Sequence, residues 1–389
     1  MDRRILNVFI LSILIQTCVC DDLELVQANV LWRHGDRAPL FTYTTDLVPE
    51  VDWEAPYGEI TPLGMEQVYT KGLIFRQRYV NDLHLISPTY NSSQIYVRST
   101  DMDRTLLSAY GVLAGVYSTE ELHDPISSVH KLPSRWTSVP IHTVKFETDY
   151  LMNMERICPK FLAIDRERNE NPKFKAYVES IEPLFELLRN KTGLPIPDVF
   201  NLRMFQDVLR IAREKKKSLP DWVTESLYEQ MDKVLNDTDD YKTGYPGFGL
   251  PADLDMINLR GGPLLKEMIE NMEMMANETK GAKKLRLYSG HDITIMGRGL
   301  PNYTSAVAVE LWKSVDMKSN FVETKDQGSG DTEYFVQVLF SANPTDNFIP
   351  VTRFVSGCPS NNDFCPLGMF IQRSKLFVPD DIVKLCYEF

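Results

Sequence analysis

Three short apolar runs in this chain each stop at a cluster of charged and hydrogen-bonding residues, and the third lies far along the sequence from the other two. Residues 25–32 read Leu-Val-Gln-Ala-Asn-Val-Leu-Trp and meet Arg33, His34 and Gly35. Residues 94–97 meet Arg98, Ser99 and Thr100; residues 284–288 alternate Lys-Leu-Arg-Leu-Tyr and meet Ser289, Gly290, His291 and Asp292. Apolar runs of this length, bounded by turn-forming residues, read as strands. Ligands of open α/β sheets collect beyond the carboxyl ends of the strands. The three clusters therefore predict one site assembled from distant parts of the chain.

Helical patterns follow the strands. Thr61 and Pro62 read as an N-cap and first-turn proline for a helix to about Val80. Residues 101–117 carry Leu106, Leu107, Tyr110 and Leu113 at helical spacing. The middle of the chain is mostly helical: Phe174, Val178, Ile181, Phe185 and Leu188 recur until Gly193, and Leu202, Phe205, Leu209 and Ala212 repeat the pattern, as do 222–235 and 264–275. Hairpin-like strands are expected at 306–312 and 334–340. The expected fold is α/β, a three-layer sandwich with a mostly parallel central sheet built from 21–145 and 283–389, with a smaller, mainly helical domain inserted at 146–282.

The chain's 389 residues suffice for such a core, and its 43% hydrophobic and 25% charged residues are ordinary for a globular protein. Its formal charge of −12 disfavours nucleic acid and anionic membranes as partners. Residues 1–20 read as a signal peptide: Arg3 and Arg4 precede an apolar run, and Thr17, Cys18, Val19 and Cys20 precede Asp21. An uncleaved anchor is the weaker reading, because the run is short of the roughly 20 residues that span a bilayer. Asn-x-Ser/Thr sequons begin at Asn91, Asn190, Asn236, Asn277 and Asn302, which expects glycosylation in a secreted or lysosomal, lumenal protein. Four cysteines remain after the leader, and four allow three pairings. Cys358 and Cys365 are nearest and bracket a polar loop, which favours Cys358–Cys365 with Cys158–Cys386. A structural zinc is the alternative, without a CxxC pair to support it.

The densest chemistry is Arg33-His34-Gly35-Asp36-Arg37-Ala38-Pro39. Neighbouring guanidinium groups disfavour an imidazolium, so His34 would stay neutral with a ring nitrogen free to act as nucleophile. The same arginines can fork onto phosphoryl oxygens, and phosphoryl transfer asks mainly for positioning and positive charge. His84, His123, His130 and His142 lack metal-ligand spacing and read as surface or structural. The basic run 213–217 reads as a solvated helix face, Met268, Met272 and Met275 as core, and 244–251 as a loop.

This segment resembles the RHGxRxP signature of the histidine acid phosphatases, the branch that includes prostatic and lysosomal enzymes and fungal phytases. Ile95-Tyr96-Val97-Arg98-Ser99-Thr100-Asp101 is similar to the segment that carries the family's third phosphate-binding arginine, and Leu287-Tyr288-Ser289-Gly290-His291-Asp292 to its histidine-aspartate motif. Leu63-Gly64-Met65-Glu66-Gln67 is similar to the helix after the first motif. The likeness spans about 23–386 and is strongest to the prostatic and lysosomal group. Gly290 departs from it, where alanine is expected. The resemblance implies hydrolysis of phosphate monoesters through a phosphohistidine on His34, with Arg33, Arg37, Arg98 and His291 binding the phosphate. Asp292 would protonate the leaving oxygen, which asks for a protonated carboxyl group and an acid working pH. It implies no cofactor and no metal, guanidinium groups neutralising the charge. Expected partners are small phosphate monoesters, with phosphoproteins and a homodimer left open. The rival readings are a narrow, phytase-like specificity, a catalytically silent secreted binding protein or antigen, and a mutase. Retention of both His34 and Asp292 speaks against silence, and the leader and the large insertion against a mutase.

Overall fold

The computed structural model describes residues 23–118, 137–153, 157–295, 300–315 and 334–387. The expected leader, with Cys18 and Cys20, and His123 and His130 lie outside them.

The scaffold is a seven-stranded sheet in the order β2-β3-β1-β4-β5-β6, with β7 paired to β5. Its centre is β1 (Leu23–Arg33), flanked by parallel β3 (Leu285–Gly290), which in turn pairs in parallel with β2 (Ile95–Ser99). On the other side of β1, β4 (Ala306–Ser314), β5 (Tyr334–Ser341), β6 (Ile349–Pro350) and β7 (Cys365–Pro366) are all antiparallel to their neighbours. The expectation of a mostly parallel sheet thus holds only for the half that carries the three polar clusters. The rest is antiparallel, a pairing that needs no crossover helix.

Helices cover both faces. On one side α1 (Pro62–Arg76) and α2 (Asp103–Val116) bury Val68, Phe75, Ala109 and Val112 against Val30, Trp32, Val97 and Leu287. Thr61 caps α1, its hydroxyl accepting from Gly64 N at 3.1 Å. A six-residue π-helix, Gln77–Asp82, prolongs α1 past Val80. The buried stripe of α2 runs through Thr105, Ala109, Val112 and Val116, whereas Leu107 and Tyr110 of the expected stripe face solvent. Glycines set this crossing: a Cβ on Gly72 would lie 2.2 Å from Val112 O, and one on Gly115 2.4 Å from Tyr69 O. Small residues let the two helices meet backbone to backbone, so the contact carries little of the apolar signal that sequence periodicity reports.

Helix α3 (Pro159–Glu170) packs Phe161 and Ile164 against Met256, Leu259 and Cys386. Helices α4 (Pro172–Ser180), α5 (Glu182–Thr192), α6 (Val199–Glu214) and α7 (Glu225–Lys242) build a separate core of Phe174, Phe185, Leu202, Phe205, Leu227 and Met231. The pattern read across Ile181 is two helices, and Gly193 ends the second at φ 69°. Helix α8 (Leu254–Ala276) also falls within 146–282, yet it packs Leu264, Met268, Ile269 and Met272 on the second face of the sheet, against Leu31, Tyr288 and Leu311. It is the third layer of the sandwich. After β3 come α9 (Asp292–Ile295), α10 (Leu367–Ser374) and α11 (Ile382–Tyr387). Cys158 is bonded to Cys386, fixing α11 to the start of α3, and Cys358 to Cys365.

Candidate active site

The three parallel strands end in register. Arg33 stands opposite Gly290, and Ser99 opposite Ser289. The residues just beyond, His34, Thr100 and His291, therefore lie side by side at one edge, held by His34 N donating to Gly290 O at 3.0 Å and Thr100 N to Ser289 O at 3.1 Å. The rings of His34 and His291 stand edge to face, centroids 5.5 Å apart.

The turn after β1 is clamped from below by α1 and α2. Gly35 and Gly64 meet without side chains: a Cβ on Gly35 would lie 2.3 Å from Gly64 O, and one on Gly64 2.1 Å from Asp36 O. Gly35 N donates to Ser108 Oγ at 3.2 Å and Asp36 N to Gln67 Oε1 at 2.8 Å. Asp36 Oδ2 accepts from Thr61 Oγ1 at 2.5 Å and from Lys215 Nζ at 2.6 Å. Lys217 reaches Asp52 O at 2.7 Å. The basic run 213–217 is thus a solvated face only at Arg213 and Lys216, which are exposed: Lys215 latches the helical domain to the signature loop and Lys217 to the turn at Asp52.

Three guanidinium groups, Arg33, Arg37 and Arg104, act on the histidines, and a fourth, Arg210, lies at Tyr303. Arg33, fully buried, donates to Pro301 O at 2.6 Å, lies 3.1 Å from Asp292 Oδ2 and stacks 4.3 Å over the ring of Tyr303. Arg37 donates to Ala38 O at 3.1 Å and to Asp207 Oδ2 at 2.7 Å. Arg104, on the first turn of α2, is in contact with Met102 S at 3.5 Å. Arg210 binds Asp207 Oδ1 at 2.7 Å. The buried Nε of each of these four has no hydrogen-bond partner among the described residues. Buried donors are rarely left unpaired, and those of Arg33, Arg37 and Arg104 beside one imidazole pair are suited to an oxyanion.

The sequence model of the histidine phosphatase superfamily (branch 2) matches residues 24–298. The chain belongs to that superfamily. It is 29% identical to the prostatic acid phosphatase of Mus musculus over 374 residues, 93% of this chain and 89% of that protein. It is 30% identical to the lysosomal acid phosphatase of Xenopus laevis over 376 residues, covering 93% and 79% respectively. Among solved structures, the Hafnia alvei phytase in complex with tartrate superposes with a TM-score of 0.63 at 15% identity, covering 94% of this chain and 99% of the other. That likeness carries the fold: a central sheet layered with helices and a helical domain.

Within this branch 2 site the electrostatics favour a neutral nucleophile. Burial and then Arg33, His291, Arg104 and Arg37 hold the His34 imidazole well below its ordinary value of 6.5. Its Nδ1 lies 2.8 Å from Gly35 O. A carbonyl can only accept, so Nδ1 carries the hydrogen and Nε2 keeps its lone pair. His291 is lowered to about 3 by burial and by Arg104. Its Nε2 lies 3.0 Å from Thr100 Oγ1, which is 2.8 Å from Thr105 Oγ1. Thr105 spends its one hydrogen on the carbonyls of Thr100 and Met102. Thr100 must then donate to Thr105 and accept from His291 Nε2–H, so Nδ1 of His291 is the free acceptor. At Asp292 burial opposes ionisation, but Arg33 and the amide of Ile293 outweigh it and hold the carboxyl below its usual range. Here it is held as a carboxylate, whereas the sequence reading asks for a protonated group.

Arg98 is placed differently from the sequence expectation. Its guanidinium pairs with Asp149 Oδ1 at 2.5 Å, and Asp149 also accepts from the amides of Leu151 and Met152. Arg104, six residues on, acts instead on both histidines. Sequence reading missed Arg104, Asp207, Arg210 and Tyr303. The one usable signal was an arginine on the small-residue side of α2, in line with Ser108 and Gly111. Gly290, the departure from the family pattern, has a local cause: a methyl there would press on Thr294 Oγ1 at 3.0 Å and Met152 Cε at 3.2 Å.

Proposed function

We propose that this branch 2 member hydrolyses phosphate monoesters at acid pH through a phosphohistidine on His34, with Arg33, Arg37 and Arg104 gripping the phosphoryl oxygens and Asp292 serving the leaving group. The observation that carries the reading is the buried, neutral His34, its Nε2 lone pair set among guanidinium groups whose Nε donors are unpartnered. In the first step Nε2 attacks phosphorus, the ester P–O bond breaks, and the leaving oxygen takes a proton from Asp292. In the second, water attacks phosphorus, the P–N bond breaks, Asp292 accepts the water's proton, and phosphate leaves.

Asp292 must gain its proton on binding. A phosphate drawn to Arg33 competes for the charge that keeps the carboxylate ionised and repels it directly, so its pKa rises in the complex. An ester monoanion, the prevailing form below a second pKa near 6, can bring the proton with it. His291, with Nδ1 free to accept, suits a protonated phosphoryl oxygen. Both features favour acid working pH. Arg98 braces the turn at Asp149, and the helical domain made by α3–α7 forms the substrate-side wall. Delivery to an oxidising lumen or to the exterior is supported by the two disulfides and by the exposure of Asn91, Asn190, Asn236, Asn277 and Asn302 at their sequons.

The deciding experiment mixes enzyme with 32P-labelled monoester and quenches in alkaline denaturant, where phosphohistidine survives. Label on His34 is expected in the wild type. Turnover that persists in His34→Ala, or label found on another residue, would overturn the assignment.

A further inference from the structure

Helix α6 of the helical domain contributes an ionic pair to the site one turn apart, Asp207 and Arg210. The two carboxylate oxygens of Asp207 are divided: Oδ2 holds Arg37 and Oδ1 holds Arg210, each at 2.7 Å. Arg37 alone already balances this buried carboxylate, so Arg210 brings a charge that the pair does not require. Arg210 also sits 3.4 Å from the hydroxyl of Tyr303, whose ring carries Arg33 on it, and its charge is felt at Arg33. It is therefore one contact removed from two of the phosphate-gripping arginines.

Its far end points outward. Nη1 binds Glu214 Oε1 at 2.6 Å, and that glutamate is half exposed at 51%, whereas the Arg210 side chain is 18% exposed. An ion pair to an exposed partner is weak in water, so another anion can take the place of Glu214. The buried Nε of Arg210 is free to donate as well.

We infer that Arg210 selects phosphate esters whose alcohol carries a second anionic group, a reading that rests on the phosphatase activity proposed above. Lysine would keep the charge at this position but not the planar fork.

The test compares kcat/KM for fructose 6-phosphate and fructose 1,6-bisphosphate at pH 5 and low ionic strength, for the mature wild type, Arg210→Gln and Arg210→Lys, with nitrophenyl phosphate as reference. The wild type should favour the bisphosphate by about tenfold, the worth of one charge-assisted hydrogen bond, and the preference should shrink with added salt. Arg210→Gln should remove most of it and Arg210→Lys retain part. Equal treatment of the two sugars by the wild type would overturn the inference, even if Arg210→Gln did not fold. So would an equal loss on both sugars in Arg210→Gln, which would make Arg210 a support for Asp207. A wild type inactive on all three esters would overturn the phosphatase reading itself, and this inference with it.

Discussion

Asp292 Oδ2 lies 3.1 Å from Arg33 Nη2, so the proposed proton donor and the proposed phosphate anchor neutralise each other. Substrate has to break this pair before the carboxyl group can be protonated. Asp292→Asn keeps the shape, leaves Arg33 unopposed and removes the acid. Turnover of alkyl phosphates should fall by roughly 10² to 10⁴, and that of nitrophenyl phosphate, whose leaving oxygen needs little protonation, much less. Phosphate itself should bind the variant more tightly. Equal losses on both esters would show that Asp292 is not the leaving-group acid.

Arg104 and Arg98 should separate cleanly. Arg104→Gln removes a buried donor facing the histidines, and kcat/KM should drop by about 10² to 10³. Arg98→Gln leaves Asp149, almost wholly buried, without its charge partner. Its main effect should be on stability, about 3 kcal/mol in urea unfolding, with the smaller change in kcat/KM. The opposite ranking would return Arg98 to the phosphate.

The two histidines should make the fold acid-sensitive. His291 titrates near 6.5 in the unfolded chain but is held to about 3 when folded. Between these values the unfolded state binds a proton that the folded state refuses, so stability falls as pH drops from 6.5 toward 3, by about 1.4 kcal/mol per unit for this group. His34 acts in the same direction. The lowered Asp207 and Asp292 add their losses only below about 3.8. Urea midpoints at pH 7, 5.5 and 4 should therefore decline, less steeply in His291→Asn, and inorganic phosphate should flatten the decline. An unchanged slope in His291→Asn would refute the buried neutral assignment.

Gly64→Ala tests the clamp beneath the nucleophile. The added methyl would meet Asp36 O at 2.1 Å and Asp36 N at 2.8 Å, backbone atoms that no rotamer change can move aside. A loss of about 1–3 kcal/mol is expected, and kcat should fall with it because the loop that shifts carries His34. Unaltered kcat would mean that the turn keeps its shape without Gly64.

The legible parts of the fold were those where one residue type serves one purpose. Strand runs ending in arginine and histidine foretold the parallel half of the sheet and the meeting of His34 with His291, because parallel strands in register bring their last residues together. The capped start of α1 at Thr61 and the stop at Gly193 were equally direct. What stayed hidden depends on partners in three dimensions. Nothing in Lys215 distinguishes a solvated lysine from one bound to Asp36, and Arg98 and Arg104 differ only in which way a strand end and a helix turn aim them. The stripe on α2 was read correctly at Leu113, which is buried, but not at Leu107 and Tyr110, because glycines make the close contact with α1. The antiparallel pair at 306–312 and 334–340 was legible as a hairpin, whereas its antiparallel union with β1 was not, because a strand's own pattern does not state its partner's direction.

The bond between Cys158 and Cys386 has a topological consequence. His34 lies before the ring it closes, whereas Asp207, His291 and Asp292 lie within it. A single protease cut anywhere inside the ring leaves one fragment ending beyond Cys158 and another carrying Cys386, still joined through sulfur. Nucleophile and acid would travel together as one covalent molecule after such a nick, and only reduction would release them.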